Sequence, residues 1–469
     1  MRSTGETRAR KRGAAAKASN RARRRKRKPP LRGKKTRLRR KRAAVRRGAL
    51  RSRRRRWRLA KGRRRTRARR FRRRKKRPVP VAPAPAEELS PSEPETPEEE
   101  KGYAKGVNIV GFIRAEMGIG ESSRLAARAL AAAEIPFDIL NFPLTSIRMN
   151  DRTWEHKEVE EPLYKVNIVH TNADTMRSVH HYFGAGLFEN RYNIGYWHWE
   201  LPEFPDEFCD GFHFVDEVWA PSNFVVESIS QKSPVPVIRI PHGVEVNPPG
   251  DINRQTFGLP EDRFLFFSMY DTHSYQKRKN PQGAILAFKQ AFEPTNADVG
   301  LVVKLNHGHV HPSDLTEIRK LTKDYPNIYI IDQTMSRGEV DGLLNSIDCF
   351  VSLHRSEGFG LGLAEAMYLG KPVIGTYWSG NVDFMNETNS CPVGCTMVNV
   401  GEDWGPYKGY QIWAEPNLDH AAQYMRELVY NPEYRHSISV NGMQHIREHF
   451  SPQAAGNLIR ERLSQLGLL

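Results

Sequence analysis

Residues 356 to 367 read S-E-G-F-G-L-G-L-A-E-A-M, and this stretch decides the fold. The apolar run Cys349–Leu353 precedes it, and a segment rich in Leu, Ala, Glu and Met follows the glycines and ends at Gly370. This order predicts a strand, a glycine-rich turn and a helix. Such a turn directs main-chain N–H groups and the positive end of the helix at an anion. The stretch therefore predicts an anion-binding site.

Two carboxylates, Glu357 and Glu365, flank the glycines of this turn. An ionised carboxylate only accepts hydrogen bonds, so a ligand bound here must also carry hydroxyl donors. A sugar joined to a diphosphate has both properties. The alternative is an ordinary strand-to-helix corner with Glu365 on a solvated helix face. Gly358, Gly360 and Gly362 lower helix propensity and favour the functional interpretation.

The E-x7-E spacing, the G-F-G after the first Glu and the E-A-M-x-x-G-x-P-V from the second resemble the signature of retaining glycosyltransferases of family 4. The resemblance extends more loosely over residues 106 to 460. It implies an α/β protein with the GT-B fold, in which two Rossmann-like domains with doubly wound parallel sheets face each other across a cleft. It also implies that Gly358, Phe359 and Gly360 bind the donor.

The chain joins two parts of opposite charge. Residues 1–100 carry 42 Lys and Arg against 8 acidic residues, and residues 101–469 carry 32 basic and 45 acidic residues. The formal charge is therefore +34 on the first part and −13 on the second, although the whole chain has +21. The first 77 residues lack the apolar content that offsets chain entropy, which predicts a disordered arm.

Apolar β-branched runs alternate with helix-like stretches through the rest of the chain, with five such strands on each side of Ile240-Pro-His-Gly-Val244. This pattern predicts two doubly wound parallel sheets. The predicted divisions are a disordered Arg/Lys-rich arm (1–77), a Pro/Glu-rich linker (78–101), an N-terminal acceptor-side domain (102–241), a C-terminal nucleotide-sugar domain (242–450) and a C-terminal helix (451–469). Whether that helix crosses back to the first domain stays open.

The basic arm would bind polyanions by releasing their counterions. Nucleic acid, anionic membrane lipid and acidic polysaccharide are all candidates, and Trp57 and Phe71 are too few aromatics for base stacking. The alternative is that the arm is not translated, with a non-Met start near Val79 or Val81. No run approaches the roughly 20 apolar residues of a membrane span. We expect a cytoplasmic protein, with peripheral attachment to the inner membrane left open. We also expect a core Cys349 and free thiols at Cys391 and Cys395, for which a metal pair or a redox pair is the alternative.

The first strand and helix enclose Gly118-Ile-Gly120. The resemblance implies that this loop closes the cleft over the donor diphosphate or the acceptor, so Gly118 and Gly120 are candidate donor-binding residues. A plain helix start explains the two glycines equally simply.

A basic turn, Asp271 to Pro281, lies between a predicted strand and helix. A nucleoside diphosphate gains negative charge as it leaves, so cations here would stabilise the transition state. The resemblance assigns this role to Lys279. The family usually has an Arg five residues earlier, where this chain has Ser274, and Arg278 is the candidate substitute. For Lys277, a solvated position on a basic loop explains the sequence as well as phosphate binding does.

His198 ends a predicted strand between Trp197 and Trp199. Open α/β sheets bind ligands at such strand ends. The resemblance implies a His near the sugar ring, so His198, Glu357 and Lys279 are the candidate catalytic residues. A buried core histidine is the alternative, and His170 is a second choice.

No Asp-x-Asp motif occurs in the chain. We therefore expect no metal on the diphosphate, and no cofactor beyond the nucleotide-sugar co-substrate. The resemblance implies transfer with retention by front-face attack, with Glu357 near the sugar hydroxyls and Glu365 on the ribose diol. The acceptor would be a glycan or a lipid-linked sugar. Two alternatives remain open: a nucleic-acid-binding protein that acts through its arm, and a GT-B epimerase or phosphorylase.

Overall fold

The computed structural model describes residues 102–469, which belong to one compact unit. The predicted basic arm and linker, 1–77 and 78–101, lie outside the described residues. Among the helices of the described part, none combines the length and the apolar content that a membrane crossing requires.

The first lobe is built on a six-stranded sheet in the order β2-β1-β3-β4-β5-β6. All neighbouring strands pair in parallel, and helices cover the sheet, as short apolar strands interleaved with helices require. Its strands are β1 (Ala104–Gly111), β2 (Phe137–Asn141), β3 (Tyr164–His170), β4 (Tyr192–Tyr196), β5 (Glu217–Ala220) and β6 (Val237–Arg239). Its helices are α1 (Gly118–Ala132), α2 (Met176–Phe183) and α3 (Asn223–Ser230).

The second lobe is built on another six-stranded parallel sheet, in the order β12-β11-β10-β7-β8-β9. Its strands are β7 (Phe264–Asp271), β8 (Val299–Asn306), β9 (Ile328–Asp332), β10 (Cys349–Ser352), β11 (Val373–Thr376) and β12 (Cys391–Val393). Its helices are α4 (Gln276–Lys279), α5 (Pro281–Ala291), α6 (Pro312–Thr322), α7 (Arg337–Ser346), α8 (Leu361–Tyr368), α9 (Leu418–Tyr430) and α10 (Pro432–His449). The prediction of two doubly wound parallel sheets is confirmed.

The structure also contains elements that the sequence does not predict. The strand β12 contains Pro392, which argues against a central strand, but β12 lies at the sheet edge, where a missing N–H is tolerated. An antiparallel pair, β13 (Cys395–Asn399) and β14 (Ile412–Pro416), has a long connection without a tight-turn signal. Helix α2 has only 8 residues, too few for a clear helical period.

The C-terminal helix, α11 (Pro452–Gln465), packs against α1 of the first lobe. Its Arg462 reaches the fully buried carboxylate of Glu217 on β5, with Nε to Oε1 at 3.0 Å and Nη2 to Oε2 at 2.5 Å. Trp219 donates to the same carboxylate through Nε1 at 2.6 Å. This ion pair therefore joins the end of the chain to the first sheet.

Replacing Arg462 by Met is expected to leave the Glu217 carboxylate buried without its cation. Breaking a buried pair in this way should lower the free energy of unfolding by about 3 kcal/mol. Urea unfolding followed by circular dichroism measures the loss, with the exposed Arg319→Met as the matched control. The double variant Glu217→Gln/Arg462→Met should recover part of it. Equal stability of Arg462→Met and Arg319→Met would contradict this role.

Candidate active site in the cleft between the lobes

A cleft with two adjoining chambers lies between the lobes. The large chamber has a volume of about 560 Å³ and the small chamber about 270 Å³. Gly118 of the first lobe and Lys279 of the second border both chambers, so the two spaces are continuous. The large chamber alone, and the two chambers together, are within the size range of small-molecule sites.

The glycine turn between β10 and α8 forms one wall of the large chamber. Gly360 is the N-cap of α8 with φ of +91°, a left-handed conformation that favours glycine. Gly358, Phe359 and Gly360 line this chamber, together with the first residues of the helix. The first amides of a helix have no acceptor within that helix. The turn therefore presents main-chain donors and a positive helix end to the cleft, which is the arrangement that an anion requires.

Glu357 lies in the large chamber and is paired with two cations. Its Oε1 is 2.5 Å from Lys279 Nζ, and its Oε2 is 3.4 Å from Arg278 Nη1. Burial alone raises the pKa of Glu357, but Lys279 and Arg278 outweigh it and bring this pKa down to about 2. The carboxylate is therefore ionised at neutral pH and accepts hydrogen bonds only.

Arg278 is buried beneath this pair. Its Nη1 donates to the carbonyl of Ser356 at 2.9 Å, and its Nη2 is 3.6 Å from Glu200. Burial lowers the pKa of Arg278, but the nearby Tyr407, Glu200 and Glu357 together raise it above its ordinary value. Because Ser356 holds its guanidinium, Arg278 supports the glycine turn and adds a fixed positive charge.

Lys279 owes its position to two residues with left-handed backbones, Tyr275 (φ 59°) and Asn280 (φ 50°). Between them runs the single turn α4, and Pro281 begins α5 directly after Asn280. The Asn280 side chain donates to the carbonyl of Leu353 at 2.8 Å and caps α5 at Gly283. The turn is thereby attached to the end of β10, which places the Lys279 ammonium group beside Glu357.

Glu365 lies in the small chamber and is held by Arg337. The distance from Arg337 Nη2 to Glu365 Oε1 is 2.7 Å, and the same nitrogen is 2.6 Å from Asp341 Oδ1. Burial raises the pKa of Glu365 to about 7, because Asp341 and Glu121 add to burial while Arg337 offsets only part of it. Glu365 therefore titrates near neutral pH, unlike Glu357.

His198 borders the large chamber and forms a chain with two other side chains. Its Nε2 is 3.1 Å from His242 Nε2, and His242 Nδ1 is 3.3 Å from the Tyr196 hydroxyl. The Tyr196 hydroxyl donates to the carbonyl of Ile240 at 2.7 Å. Because the Tyr196 proton is used in that bond, the Tyr196 oxygen accepts a hydrogen bond from the Nδ1–H group of His242. A neutral imidazole carries one proton, so Nε2 of His242 is unprotonated and accepts from the Nε2–H group of His198. This assignment leaves Nδ1 of His198 as an unprotonated, buried acceptor.

Burial keeps these imidazoles neutral. It lowers the pKa of His198 to about 4 and the pKa of His242 well below its ordinary value. His170, the second choice from the sequence, stacks on Tyr196 with 4.5 Å between ring centroids and does not line either chamber. Its role is packing beneath the chain of side chains, and burial together with His198 lowers its pKa to about 3.

The other predicted residues divide between the cleft and the interior. Gly118 borders both chambers. Gly120 lines neither, because it packs against the preceding loop, where an added Cβ would lie 2.1 Å from the Ala115 carbonyl oxygen. This close approach explains why glycine stands there. Ser274, at the position of the family's usual Arg, lines both chambers.

Several cleft residues escape the sequence prediction. Three of them lie outside both the glycine motif and the basic turn: His242, Arg337 and Lys304. Glu200 and Tyr407 are 207 residues apart in the sequence, yet the Tyr407 hydroxyl donates to the Glu200 carboxylate at 3.0 Å. The pairing of Glu365 with a cation could have been suspected, since a buried carboxylate needs one. Nothing local in the sequence points to Arg337 as that partner.

Three side chains with metal-ligating atoms, Asp271, His273 and His307, meet where β7 and β8 end. Their ligand atoms all lie within 4.8 Å of one another. Asp271 and His273 border the large chamber.

Solved structures with the same fold include several glycosyltransferases. HepE from Anabaena in complex with UDP and glucose has a TM-score of 0.57 at 13% identity, covering 77% of this chain and 100% of its own. Sucrose-phosphate synthase from Thermosynechococcus elongatus has a TM-score of 0.57 at 14% identity, covering 77% and 99%. A glycosyltransferase from Rickettsia africae has a TM-score of 0.55 at 14% identity, with the same coverages. At these identities the likeness shows the GT-B fold.

A sequence comparison with curated proteins gave no match. The family described as Glycosyl transferases group 1 matches residues 251–445, which include the basic turn, the glycine turn and both carboxylates. Residues 251–445 therefore form a group 1 glycosyltransferase domain, and the chain is a glycosyltransferase with the GT-B fold.

Proposed function

We propose that this chain is a retaining, metal-independent glycosyltransferase that moves a sugar from a nucleotide-sugar donor to a hydroxyl group of a glycan or lipid-linked acceptor. The observation that carries the proposal is the pair of chambers joined at Lys279, with Glu357 in one and Glu365 in the other. A nucleotide sugar has the matching order of groups: a sugar, a diphosphate and a ribose.

The diphosphate belongs at the junction of the chambers. The Lys279 ammonium group and the amides at the start of α8 face this point, and the buried guanidinium of Arg278 adds its field. These groups counter charge that grows as the nucleoside diphosphate leaves, so they stabilise the transition state more than the bound donor. They are also the reason to propose a reaction without a metal on the diphosphate.

The sugar belongs in the large chamber and the ribose in the small one. Glu357 supplies acceptors for sugar hydroxyls on one side, where His198 also lines the chamber, and Glu365 supplies acceptors for the ribose diol on the other. HepE, which has the same fold as this chain, has been solved in complex with UDP and with UDP-glucose. UDP-sugars are therefore the first donors to test.

Glu357 is a poor nucleophile because two cations hold its pKa near 2. We therefore assign no covalent intermediate to it. Retention then requires attack on the face from which the diphosphate departs, with a phosphate oxygen accepting the proton of the acceptor hydroxyl. Lys279 serves this step by keeping the departing phosphate in place.

Replacing Lys279 by Ala is expected to lower kcat about a hundredfold, because one donor to the developing charge is removed. Release of the nucleoside diphosphate and transfer of a labelled sugar both measure the loss. Lys277→Ala is the matched control, since Lys277 is exposed on the same turn. Thermal denaturation shows whether both variants are folded. Equal kcat values for the two folded variants would show that Lys279 does not stabilise the transition state.

The KM for the donor is expected to depend on pH through Glu365. Its pKa lies near 7, so the fraction of ionised carboxylate, which accepts from the ribose hydroxyls, rises about tenfold between pH 6 and pH 8. Donor KM should fall over this interval in the native protein, and this fall should be absent in Glu365→Gln. Burial lowers the pKa of Lys304 in the same chamber to about 8, so its loss of charge at the upper end would act in the opposite direction. Glu357 and His198, with pKa values of about 2 and 4, do not titrate there. The same pH dependence in Glu365→Gln would refute the assignment.

Sugar transfer is expected to proceed at an unchanged rate after dialysis against EDTA, without added Mg²⁺ or Mn²⁺. The physical reason is that Lys279, Arg278 and the start of α8 already supply positive charge to the diphosphate. Activity is measured before and after dialysis on the same preparation, with a metal-dependent transferase as the positive control for chelation. Loss of transfer that Mg²⁺ or Mn²⁺ restores would contradict metal independence.

A further inference from the structure

Asp271, His273 and His307 form a compact cluster at the ends of β7 and β8. The Asp271 Oδ1 atom is 3.0 Å from His273 Nδ1, and its Oδ2 atom is 3.1 Å from His307 Nδ1. Their side chains are only partly buried, with exposed fractions of 24%, 38% and 12%, so an ion from solvent can reach them. The cluster is therefore compact and open to solvent.

The pairing of the two strands creates this cluster. The strands β7 and β8 run parallel with Asp271 opposite Asn306, so His307 follows directly beside the carboxylate. His307 has φ of +58°, an uncommon conformation for a residue other than glycine, and its carbonyl accepts from the Thr272 hydroxyl at 2.9 Å. The backbone thus holds the His307 ring over Asp271 at some conformational cost, as is frequent at binding sites.

The spacing of the ligand atoms fits a transition-metal ion. Zinc binds imidazole nitrogen and carboxylate oxygen at 2.0–2.2 Å, which places neighbouring ligand atoms of a tetrahedral site roughly 3.3 Å apart. From one carboxylate oxygen, Asp271 Oδ1, the Nδ1 atoms of His273 and His307 lie at 3.0 and 3.2 Å. All three ligand atoms lie within 4.8 Å of one another. Small side-chain movements would open the cluster to the required geometry.

Further imidazoles surround the cluster. The sequence N-H-G-H-V-H over 306–311 brings His309 and His311 close by, and such histidine-rich tracts are typical of metal binding. The His311 ring centroid is 6.3 Å from that of His273, and the His309 centroid is 6.1 Å from that of His307. Either exposed ring, or a water molecule, would supply a fourth ligand.

A simple hydrogen-bonded cluster is the competing explanation. Asp271 also accepts from the main-chain N–H of His273 at 2.9 Å, so its carboxylate is satisfied without an ion. That explanation accounts for both imidazoles, one on each carboxylate oxygen. It gives no reason for the left-handed backbone of His307 or for the two further imidazoles within reach.

We propose that Asp271, His273 and His307 bind one divalent first-row transition-metal ion, with Zn²⁺ as the matching probe. Two imidazoles and one carboxylate suit such an ion, whereas Mg²⁺ and Ca²⁺ prefer oxygen ligands. The ion would tie the turn after β7, which leads to Lys279, to the histidine-rich loop after β8. The cluster lies at the edge of the cleft, since Asp271 borders both chambers. Sugar transfer is expected not to require the ion, so the test of this site is metal binding and not transfer.

The experiment is a titration of the full-length protein with Zn²⁺ after removal of metals, followed by isothermal calorimetry. We expect one Zn²⁺ per chain, and a dissociation constant at least about tenfold weaker in His273→Ala and in His307→Asn. Asn tolerates the left-handed backbone at 307, so that variant preserves the loop. The matched control is His436→Ala, an exposed histidine on α10.

Binding of Co²⁺ to the same preparations gives a second measurement. The visible absorption bands of Co²⁺ held by nitrogen and oxygen ligands should develop in the native protein and in His436→Ala, and should be lost in the two cluster variants. Circular dichroism verifies that the variants are folded. The proposal is overturned if the native protein binds no stoichiometric Zn²⁺, or if folded His273→Ala and His307→Asn bind it as tightly as His436→Ala.

Discussion

Taking the guanidinium of Arg278 out of water costs several kcal/mol unless acids and carbonyls surround it. Glu357 lies 3.4 Å from one of its nitrogens, Glu200 lies 3.6 Å from another, and the Ser356 carbonyl accepts a hydrogen bond. These contacts join the turn after β7 to the turn after β10. The anion-binding wall of the cleft depends on this buried charge, because the same contacts orient Glu357 and hence Lys279.

The two lobes meet at the same place. Ser222, the N-cap of α3 in the first lobe, donates through its hydroxyl to the Gly358 carbonyl at 2.6 Å. Arg239 at the end of β6 pairs with the buried side chain of Asp383 at 2.7 Å. Glu200 adds an acceptor from the first lobe to Arg278. The glycine turn is thus in contact with both lobes. A movement of one lobe against the other would therefore change the geometry of the proposed donor site directly.

Much of this architecture follows from local sequence. Apolar strands of three to eight residues form both sheets, and burial on two faces gives most of them continuous apolar runs that can be read from the sequence. The spacing of Glu357 from Glu365 identifies the cleft wall. Partners distant in sequence escape prediction, since no local pattern connects Glu365 with Arg337 or Glu200 with Tyr407. Gly120 shows the converse case: its sequence position suggests a ligand contact, and its close packing against the Ala115 carbonyl is enough to account for the glycine.

Glu357 and Glu365 belong to one motif, yet their surroundings separate their titration. At Glu357, two cations lower the pKa by more than burial raises it. At Glu365, the single cation Arg337 is shared with Asp341, and burial raises the pKa by more than Arg337 lowers it. For the proposed donor site, a carboxylate that is always ionised suits the reacting sugar, because it accepts hydrogen bonds without exchanging protons. A carboxylate that titrates near neutral pH suits reversible binding of a ribose, which must leave with the spent nucleotide. In this proposal the motif uses one residue type for two tasks, and the neighbouring cations decide which task each performs.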